Sequence, residues 1–117
     1  MKVLVAYEDK YRFYRQVIAR AIGNLRPQLE VRCVGLEKLE RELVLFDPHV
    51  VVSSQANDVD RGSRTAWVEL PVEPSYPADI RLAGDRTKTE NPTLADVLSV
   101  LDEAEERLRE DRPRDGC

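Results

Sequence analysis

The stretch "FDPHVVVSS", from Phe46 to Ser54, is the part of the sequence that most constrains the fold. Its "FDP" turn ends any preceding helix, because proline cannot donate the backbone hydrogen bond that a helix interior needs. The residues that follow are apolar and β-branched without interruption, which is typical of a strand covered on both faces of a parallel sheet. Ser53 and Ser54 then predict the end of this strand.

Two earlier stretches predict strands of the same sheet. "KVLVAY" (Lys2–Tyr7) is a nearly continuous apolar run, and "LEVRCV" (Leu29–Val34) alternates and is rich in valine. We expect a helix capped by Asp9 between them and a shorter helix before Phe46. Strand and helix thus alternate in units of ~30 residues, which predicts right-handed parallel crossovers and the strand order 2-1-3, with later strands beside strand three. The residues expected on the buried faces of the two helices are Tyr14, Val17, Ile18, Ala21 and Leu25, then Leu36, Leu39, Leu43 and Phe46.

The second half of the chain is less regular. "TAWVELPV" (Thr65–Val72) predicts a fourth strand. The prolines at 71, 74 and 77 exclude a regular helix between Val72 and Ala78. "IRLAGDRTKTE" (Ile80–Glu90) is consistent either with a fifth strand or with a hairpin that turns at Gly84-Asp85. The first half therefore predicts a regular α/β arrangement, and the second half a shortened and irregular one.

The last helix is expected in "ENPTLADVLSVLDEAEERLRE", which starts at Glu90. Asn91 or Thr93 can cap this helix, and Pro92 suits its first turn. Acidic and basic side chains four residues apart should form ion pairs along it, namely Glu103–Arg107 and Glu105–Arg109. Its apolar stripe consists of Leu94, Val97, Leu98, Leu101, Ala104 and Leu108.

Length and composition limit the possible functions. The chain has 117 residues, 42% hydrophobic and 34% charged, which suits one domain, expected over residues 1–110 with a flexible tail at 111–117. The net charge of −4 argues against a general nucleic-acid binder. No apolar run approaches the ~20 residues of a membrane helix and no secretory signal pattern is present, so we expect no membrane partner and a cytoplasmic location. Cys33 and Cys117 are too few for a disulfide framework.

The opening "KVLVAYED", "LEVRCV" and "FDPHVVVSS", with a helix after each of the first two, resemble the receiver domain of two-component response regulators. The similarity covers roughly the first half of the chain, and the final amphipathic helix could correspond to the last helix of a receiver. The resemblance implies a flavodoxin-like fold, which is a three-layer, doubly wound and mostly parallel sheet with helices on both faces. Its chemistry would lie at the carboxyl ends of the strands, as in open α/β sheets generally.

Receivers carry an acidic pair after strand one, a phosphoacceptor aspartate after strand three, a serine or threonine after strand four and a lysine after strand five. The carboxylates hold Mg²⁺, the aspartate attacks the phosphoryl group, and the lysine and the hydroxyl bind the product oxygens. In this sequence the acidic pair falls on Tyr7 and Glu8, or on Glu8 and Asp9 with a slip of one residue, and the acceptor position falls on Ser54. Strand four ends in "ELPVEP", which has no hydroxyl until Ser75, and the strand-five stretch "DIRLAG" has no lysine.

These departures imply a degenerate, or pseudo-, receiver. We expect a stand-alone module that is not an enzyme, with no catalytic residue, no metal and no cofactor. Such a module would act in signalling or regulation, independently of phosphorylation, by contact with another protein or with a second copy of itself. Ser54 would then mark a phosphoacceptor position that has lost its reaction, because a serine without an adjacent base is a poor nucleophile.

The alternative hypothesis is a pocket for a small ligand, a nucleotide or another anion at the carboxyl edge of the sheet. Its candidate residues are Tyr7, Glu8, Asp9, Lys10 and Ser54. The stretch "YEDKYRFYR" (Tyr7–Arg15) places aromatic and basic residues near a helix N-terminus, where they can hold an anion. The competing interpretation puts Tyr14 in the core and leaves the charges in water.

Four further features are expected to be structural. "NDVDRG" (Asn57–Gly62) has the alternating oxygen side chains of a calcium loop but lacks its third acid and its bidentate glutamate. His49 is the only histidine and is assigned no role. Trp67 should lie in the core, and Cys33 should be a small buried hydrophobic residue.

Overall fold

The computed structural model describes residues 1–55, 65–73, 75–82 and 85–111 of the chain. The strands are β1 (Lys2–Tyr7), β2 (Glu30–Gly35), β3 (Val50–Ser53), β4 (Ala66–Glu69), β5 (Ala78–Leu82) and β6 (Asp85–Thr89). The helices are α1 (Arg12–Leu25), α2 (Leu39–Leu45) and α3 (Leu94–Asp111). Single 3₁₀ turns precede α1 and α2. The helix α3 extends to Asp111, the first residue of the expected tail, and residues 112–117 lie outside the described part.

The strands form one sheet in the order β2-β1-β3-β4-β5-β6. The predicted order 2-1-3, with later strands beside strand three, is therefore confirmed. The prediction of a mostly parallel sheet is wrong, because β2, β1, β3 and β4 run parallel whereas β5 and β6 are antiparallel to their neighbours. The physical reason lies in residues 70–77, which connect β4 to β5 and are fewer than the ~12 residues that a parallel crossover needs.

The stretch after the prolines forms a hairpin, which is one of the two structures that its sequence allowed. β5 pairs with β6 from Ala78 opposite Thr89 to Leu82 opposite Asp85, and residues 83 and 84 at the turn lie outside the described part. No helix is present at 72–73 or 75–78, as predicted, and Pro74 itself is not among the described residues. The Tyr76 amide instead donates to the Glu73 carbonyl at 3.2 Å, which closes a turn.

Helices cover both faces of the parallel part of the sheet. The continuous apolar run of β1 divides by alternation, since Val3, Val5 and Tyr7 pack with α1 and α3. Leu4 and Ala6 pack on the other face with α2. Both sets are fully buried, which explains why this strand has no polar face. The sequence predicted this layered α/β arrangement, although the sheet it belongs to is mixed.

The buried face of α1 differs from the predicted one. Ile18 and Ile22 are its buried residues, one turn apart. Val17 lies about 100° around the helix from Ile18, so it points away from the sheet and is 66% exposed. Leu25 is half exposed at the last residue of the helix, so placing it and Val17 in the core was wrong. Asp9 is not the cap either, because it begins a 3₁₀ turn and the N-cap residue of α1 is Tyr11.

The other two helices agree better with the sequence. Of the residues predicted for the buried face of α2, Leu39 and Leu43 in the helix and Phe46 just after it are buried, and Asp47 follows with a φ of 50°. In α3 the Asp96 amide donates to the Thr93 hydroxyl at 3.3 Å and the Thr93 amide donates to the Asp96 carboxylate at 2.8 Å. This reciprocal cap puts Pro92 before the helix rather than in its first turn.

The predicted stripe and ion pairs of α3 are largely present. Val97, Leu101 and Ala104 are buried, and Val100 joins them, whereas Leu94 at the first turn is 37% exposed. The two predicted ion pairs are confirmed, with N–O distances of 3.2 Å for Glu103–Arg107 and 3.8 Å for Glu105–Arg109. Within the described residues, no helix has the length and the apolar character needed to cross a bilayer.

Candidate functional site

The predicted site residues lie at one edge of the sheet, where β1 and β3 end side by side. Ala6 is opposite Ser53 in the parallel register, so Tyr7 and Ser54 are the next residues on adjacent strands. The Tyr11 amide donates to the Glu8 carbonyl at 2.8 Å, and this 3₁₀ turn leads the chain directly into α1. The fold thus brings the segment 7–10 and Ser54 to the same carboxyl edge.

Tyr7 lies in the core beneath this edge and not on its surface. Its side chain has no exposed area, and its hydroxyl donates to the Leu70 carbonyl at 2.8 Å. Its ring meets that of Tyr14 edge to face, with centroids 5.1 Å apart. Burial, together with the neighbouring Tyr14, raises the pKa of Tyr7 far above its ordinary value, so it stays a neutral hydrogen-bond donor. Tyr7 therefore ties β1 to α1 and to the segment after β4.

The charged residues at the edge neutralise one another. Lys10 Nζ lies 3.5 Å from Glu8 Oε2, and Arg15 Nη1 lies 3.1 Å from Asp9 Oδ1. Arg15 Nη1 also donates to the Tyr7 carbonyl at 2.7 Å, so this side chain from the first turns of α1 covers the end of β1. Two carboxylates and two cations leave no net charge among these four residues to attract a metal or a phosphate.

No metal site is evident in the part of the chain that the structure describes. No group of three or more His, Cys, Asp or Glu side chains comes together among those residues. Glu8 and Asp9 supply only two carboxylates, and both are engaged by cations. A magnesium or calcium ion usually needs more oxygen ligands than this pair offers. The candidate calcium loop Asn57–Gly62 falls outside the described residues.

The serines at the end of β3 lie at the opposite end of that strand from His49, the one histidine of the sequence. Ser53 is fully buried, and its hydroxyl accepts the Gln55 amide at 3.0 Å. Ser54 follows at a half-buried position. His49 stands before the other end of β3, where its Nδ1 accepts the Lys2 amide at 3.0 Å. Burial first, and then the nearby N-terminal amine, lower the pKa of His49, which favours this neutral acceptor form.

The surroundings of Trp67 and Cys33 indicate structural roles for both residues. Trp67 is 3% exposed, as predicted, and its indole N–H donates to the Gln55 carbonyl at 2.9 Å. Cys33 is a free thiol that is half-buried rather than buried. Burial raises the pKa of the Cys33 thiol, although the neighbouring Arg15 acts in the opposite direction. A raised pKa keeps a thiol in its less reactive form.

The most conspicuous surface was missed at the sequence level. Phe13 and Val17 lie one turn apart on the outer side of α1 and are 70% and 66% exposed. We call the outer side of this helix the α1 surface, a shallow depression of about 390 Å³ lined by Phe13, Gln16, Val17, Arg20, Ala21 and Asn24. The sequence did contain a signal for this surface, since Phe13 and Val17 are an apolar pair four residues apart. This pair lies on a different face of the helix from Ile18 and Ile22.

The α1 surface is also basic. The helix contains three arginines and no acidic residue. Arg15 pairs with Asp9, but Arg12 and Arg20 have no carboxylate within ion-pair distance in the described part of the chain. Arg12 instead lies over the Phe13 ring at 5.3 Å. Uncompensated positive charge therefore borders the exposed apolar pair.

A scan against models of protein families finds no match to this chain, and searches of curated proteins and of solved structures find none either.

Proposed function

We propose that this chain is a pseudo-receiver that performs no phosphoryl transfer and acts by binding another protein through the α1 surface. The order β2-β1-β3 and the helices on both faces support a receiver-like, flavodoxin-like first half. The hairpin of β5 and β6 replaces the parallel end that a receiver would have. The proposed setting is regulation or signalling in the cytoplasm.

The exposure of Phe13 and Val17 is the observation that carries the proposal. Burying one such side chain is worth roughly 1.5–3 kcal/mol, so leaving two of them in water on one helix face forgoes a sizeable stabilisation. A single exposed apolar residue is ordinary, but an apolar patch with a polar rim is typical of a binding surface. Arginine is enriched at protein interfaces, and Arg12 and Arg20 flank this pair.

The groups at the carboxyl edge are the reason why we propose no phosphoryl transfer. The acceptor position holds the neutral hydroxyl of Ser54 and no carboxylate. Glu8 and Asp9 are engaged by Lys10 and Arg15. The strand next to β4, "ADIRL", offers no lysine. Among the described residues, a phosphoryl group at this edge would therefore find no carboxylate acceptor, no unpaired metal ligand and no unpaired lysine.

The ligand-binding alternative has less support from the same contacts. An anion at the edge would need free positive charge, yet Lys10 and Arg15 each face a carboxylate. A thermal-shift series with inorganic phosphate, ATP and GTP separates the hypotheses, because binding to the native state alone raises the melting temperature. We expect no shift, and a shift that disappears in Lys10→Ala would favour the ligand-binding alternative.

The test of the α1 surface uses a photoreactive phenylalanine analogue in place of Phe13. We expect the full chain to crosslink one protein in extracts of its source, and Val17→Asp to abolish this adduct, because a carboxylate would be buried in the apolar contact. Val44 on α2 is 74% exposed, so Val44→Asp is a matched control that should leave the adduct unchanged. An adduct that survives Val17→Asp would refute binding through the α1 surface.

A further inference from the structure

The two edges of the sheet differ in how they are protected. β2 and β6 are the edge strands in the described part of the chain. β6, "DRTKT", carries three charged side chains, Asp85, Arg86 and Lys88, all exposed. Charges of this kind hinder pairing of an edge with another strand. β2, "EVRCVG", is one residue longer and has only Glu30 and Arg32, which are of opposite sign.

The outer edge of β2 presents backbone groups that can pair with another strand. The Glu30 amide donates to the Met1 carbonyl at 2.9 Å, so the backbone groups of Glu30 point toward β1. Successive residues of a strand direct these groups to alternate sides, and Arg32 and Val34 therefore also face β1. Val31 and Cys33 direct their N–H and C=O groups outward, away from the sheet.

We propose that two copies of this chain pair antiparallel through β2, with Val31 of each copy opposite Val31 of the other on a two-fold axis. In this register Val31 exchanges two backbone hydrogen bonds with its equivalent. The same symmetry places Glu30 of each copy opposite Arg32 of the other, on one face of the joined sheet. A two-fold contact of this kind is closed, so the assembly stops at a dimer.

The charges select this register over its neighbours. Centring the pairing on Glu30 would face two carboxylates, and centring it on Arg32 would face two guanidinium groups. Like charges directly opposite one another destabilise a strand pair, whereas opposite charges stabilise it. A register that set Val31 opposite Glu30 or Arg32 of the other copy would instead match its outward backbone groups with groups that point toward β1. The sequence "EVR" is thus self-complementary only about Val31.

Both charged side chains are available for the contact. Glu30 is exposed, and no cation lies within ion-pair distance of its carboxylate in the described part of the chain. Arg32 uses Nη1 for Glu42 Oε2 at 2.8 Å and lies over the Phe46 ring at 4.5 Å. A guanidinium has five N–H donors, so Arg32 can hold Glu42 and a second carboxylate together. These intramolecular contacts fix Arg32 in advance and reduce the entropy lost on pairing.

An apolar groove follows the other face of the same edge. It measures about 430 Å³ and lies between α1 and β2, where Leu29, Val31 and Cys33 face Ala19 and Gly23. In the proposed dimer the grooves of the two copies meet at Val31, so pairing covers apolar surface on this face while the ion pairs form on the opposite face. Gln16 and Arg20 also line this groove and belong to the α1 surface, whereas Phe13 and Val17 do not line it. The dimer contact therefore adjoins the α1 surface but does not include its exposed apolar pair.

Sedimentation equilibrium of the full chain over a concentration series tests the dimer. We expect a reversible dimer for the natural chain and a monomer for Val31→Pro. Proline removes only an outward N–H here, and edge strands accept proline at such positions, so the intramolecular ladder remains. Circular dichroism and the melting temperature verify the fold of the variant. A natural chain that remains monomeric at concentrations on the order of 1 mM, or a dimer that survives in folded Val31→Pro, would overturn the proposal.

Charge reversal tests the register without relying on proline. Glu30→Arg and Arg32→Glu should each weaken the dimer by about tenfold or more, since both ion pairs become like-charge contacts. An equimolar mixture of the two variants should regain the affinity, because every opposing pair is then of opposite sign. Glu40→Arg on α2 makes the same charge change outside β2 and should have no effect. Failure of the mixture to recover would refute this register, and Val17→Asp should leave the dimer intact.

Discussion

Tyr7 shows how a single side chain affects the groups that are available at the edge of a sheet. In the proposed pseudo-receiver, Tyr7 would stand where a receiver has a metal-binding carboxylate. A tyrosine side chain is long and largely apolar, and it is fully buried here with its hydroxyl on the Leu70 carbonyl. The Tyr7 side chain therefore offers no ligand at the surface and instead links β1 to the segment after β4.

Tyr7→Phe should lower the free energy of unfolding by ~1–3 kcal/mol. The substitution keeps the ring but leaves the buried Leu70 carbonyl without its donor, and an unsatisfied buried polar group costs about this much. Urea unfolding monitored by circular dichroism measures the change. Tyr76 is largely exposed, so Tyr76→Phe is the matched control and should stay within about ±0.5 kcal/mol. Equal stability of Tyr7→Phe and the natural chain would mean that the buried hydrogen bond contributes nothing net.

At the scale of elements, α1 and α3 use their apolar residues differently. α3 buries Val97, Leu101 and Ala104 along one stripe, as its periodicity predicted. α1 has apolar residues on two sides, and only the Ile18 and Ile22 side meets the sheet. A helix with apolar residues on more than one side does not reveal which side packs until the neighbouring strands are placed.

Leu101→Ala should destabilise the fold by ~2–5 kcal/mol, because Leu101 has no exposed area and its truncation leaves a cavity under α3. Chemical denaturation provides the measurement. Leu94 is on the same helix but is 37% exposed, so Leu94→Ala should cost less than about 1 kcal/mol. Similar losses for the two variants would show that the middle of α3 is not docked more tightly than its first turn.

At the scale of the whole molecule, phosphoryl transfer would require residues from several strands to converge on one edge. Strand β3 would have to supply the acceptor, the turn after β1 the metal ligands and a later strand the lysine. The hairpin changes the last of these, since the strand beside β4 runs antiparallel and its end lies at the opposite edge. Restoring one residue of such a constellation cannot restore the others.

Neither the natural chain nor Ser54→Asp should accept a phosphoryl group from acetyl phosphate in the presence of Mg²⁺. The variant regains a carboxylate acceptor, but Glu8 and Asp9 remain paired with Lys10 and Arg15. Intact-mass spectrometry after incubation detects an added phosphate. A phosphate on Ser54 of the natural chain would contradict the pseudo-receiver proposal. A phosphate on the variant alone would show that Glu8 and Asp9 can release their cations and bind the metal.

The sequence by itself determined the parts of this protein that depend on local pattern. Unbroken apolar runs specified β1 and β3, because only a strand covered on both faces buries every residue of such a run. Helical spacing specified the α3 stripe, and the proline segment excluded a helix before β5. The parallel order of β1 and β3 also places Tyr7 and Ser54 at one edge, since parallel strands end at the same edge.

Tertiary structure decided the rest, because those features depend on contacts between distant residues. The direction of β5 followed from the short connection after β4, and the sheet became mixed for that reason. The pairing of Arg15 with Asp9 and the burial of Tyr7 follow from how α1 lies over the end of β1. The exposure of Phe13 and Val17 has the same origin: the strands take only one side of α1, and the remaining apolar side chains are left facing solvent.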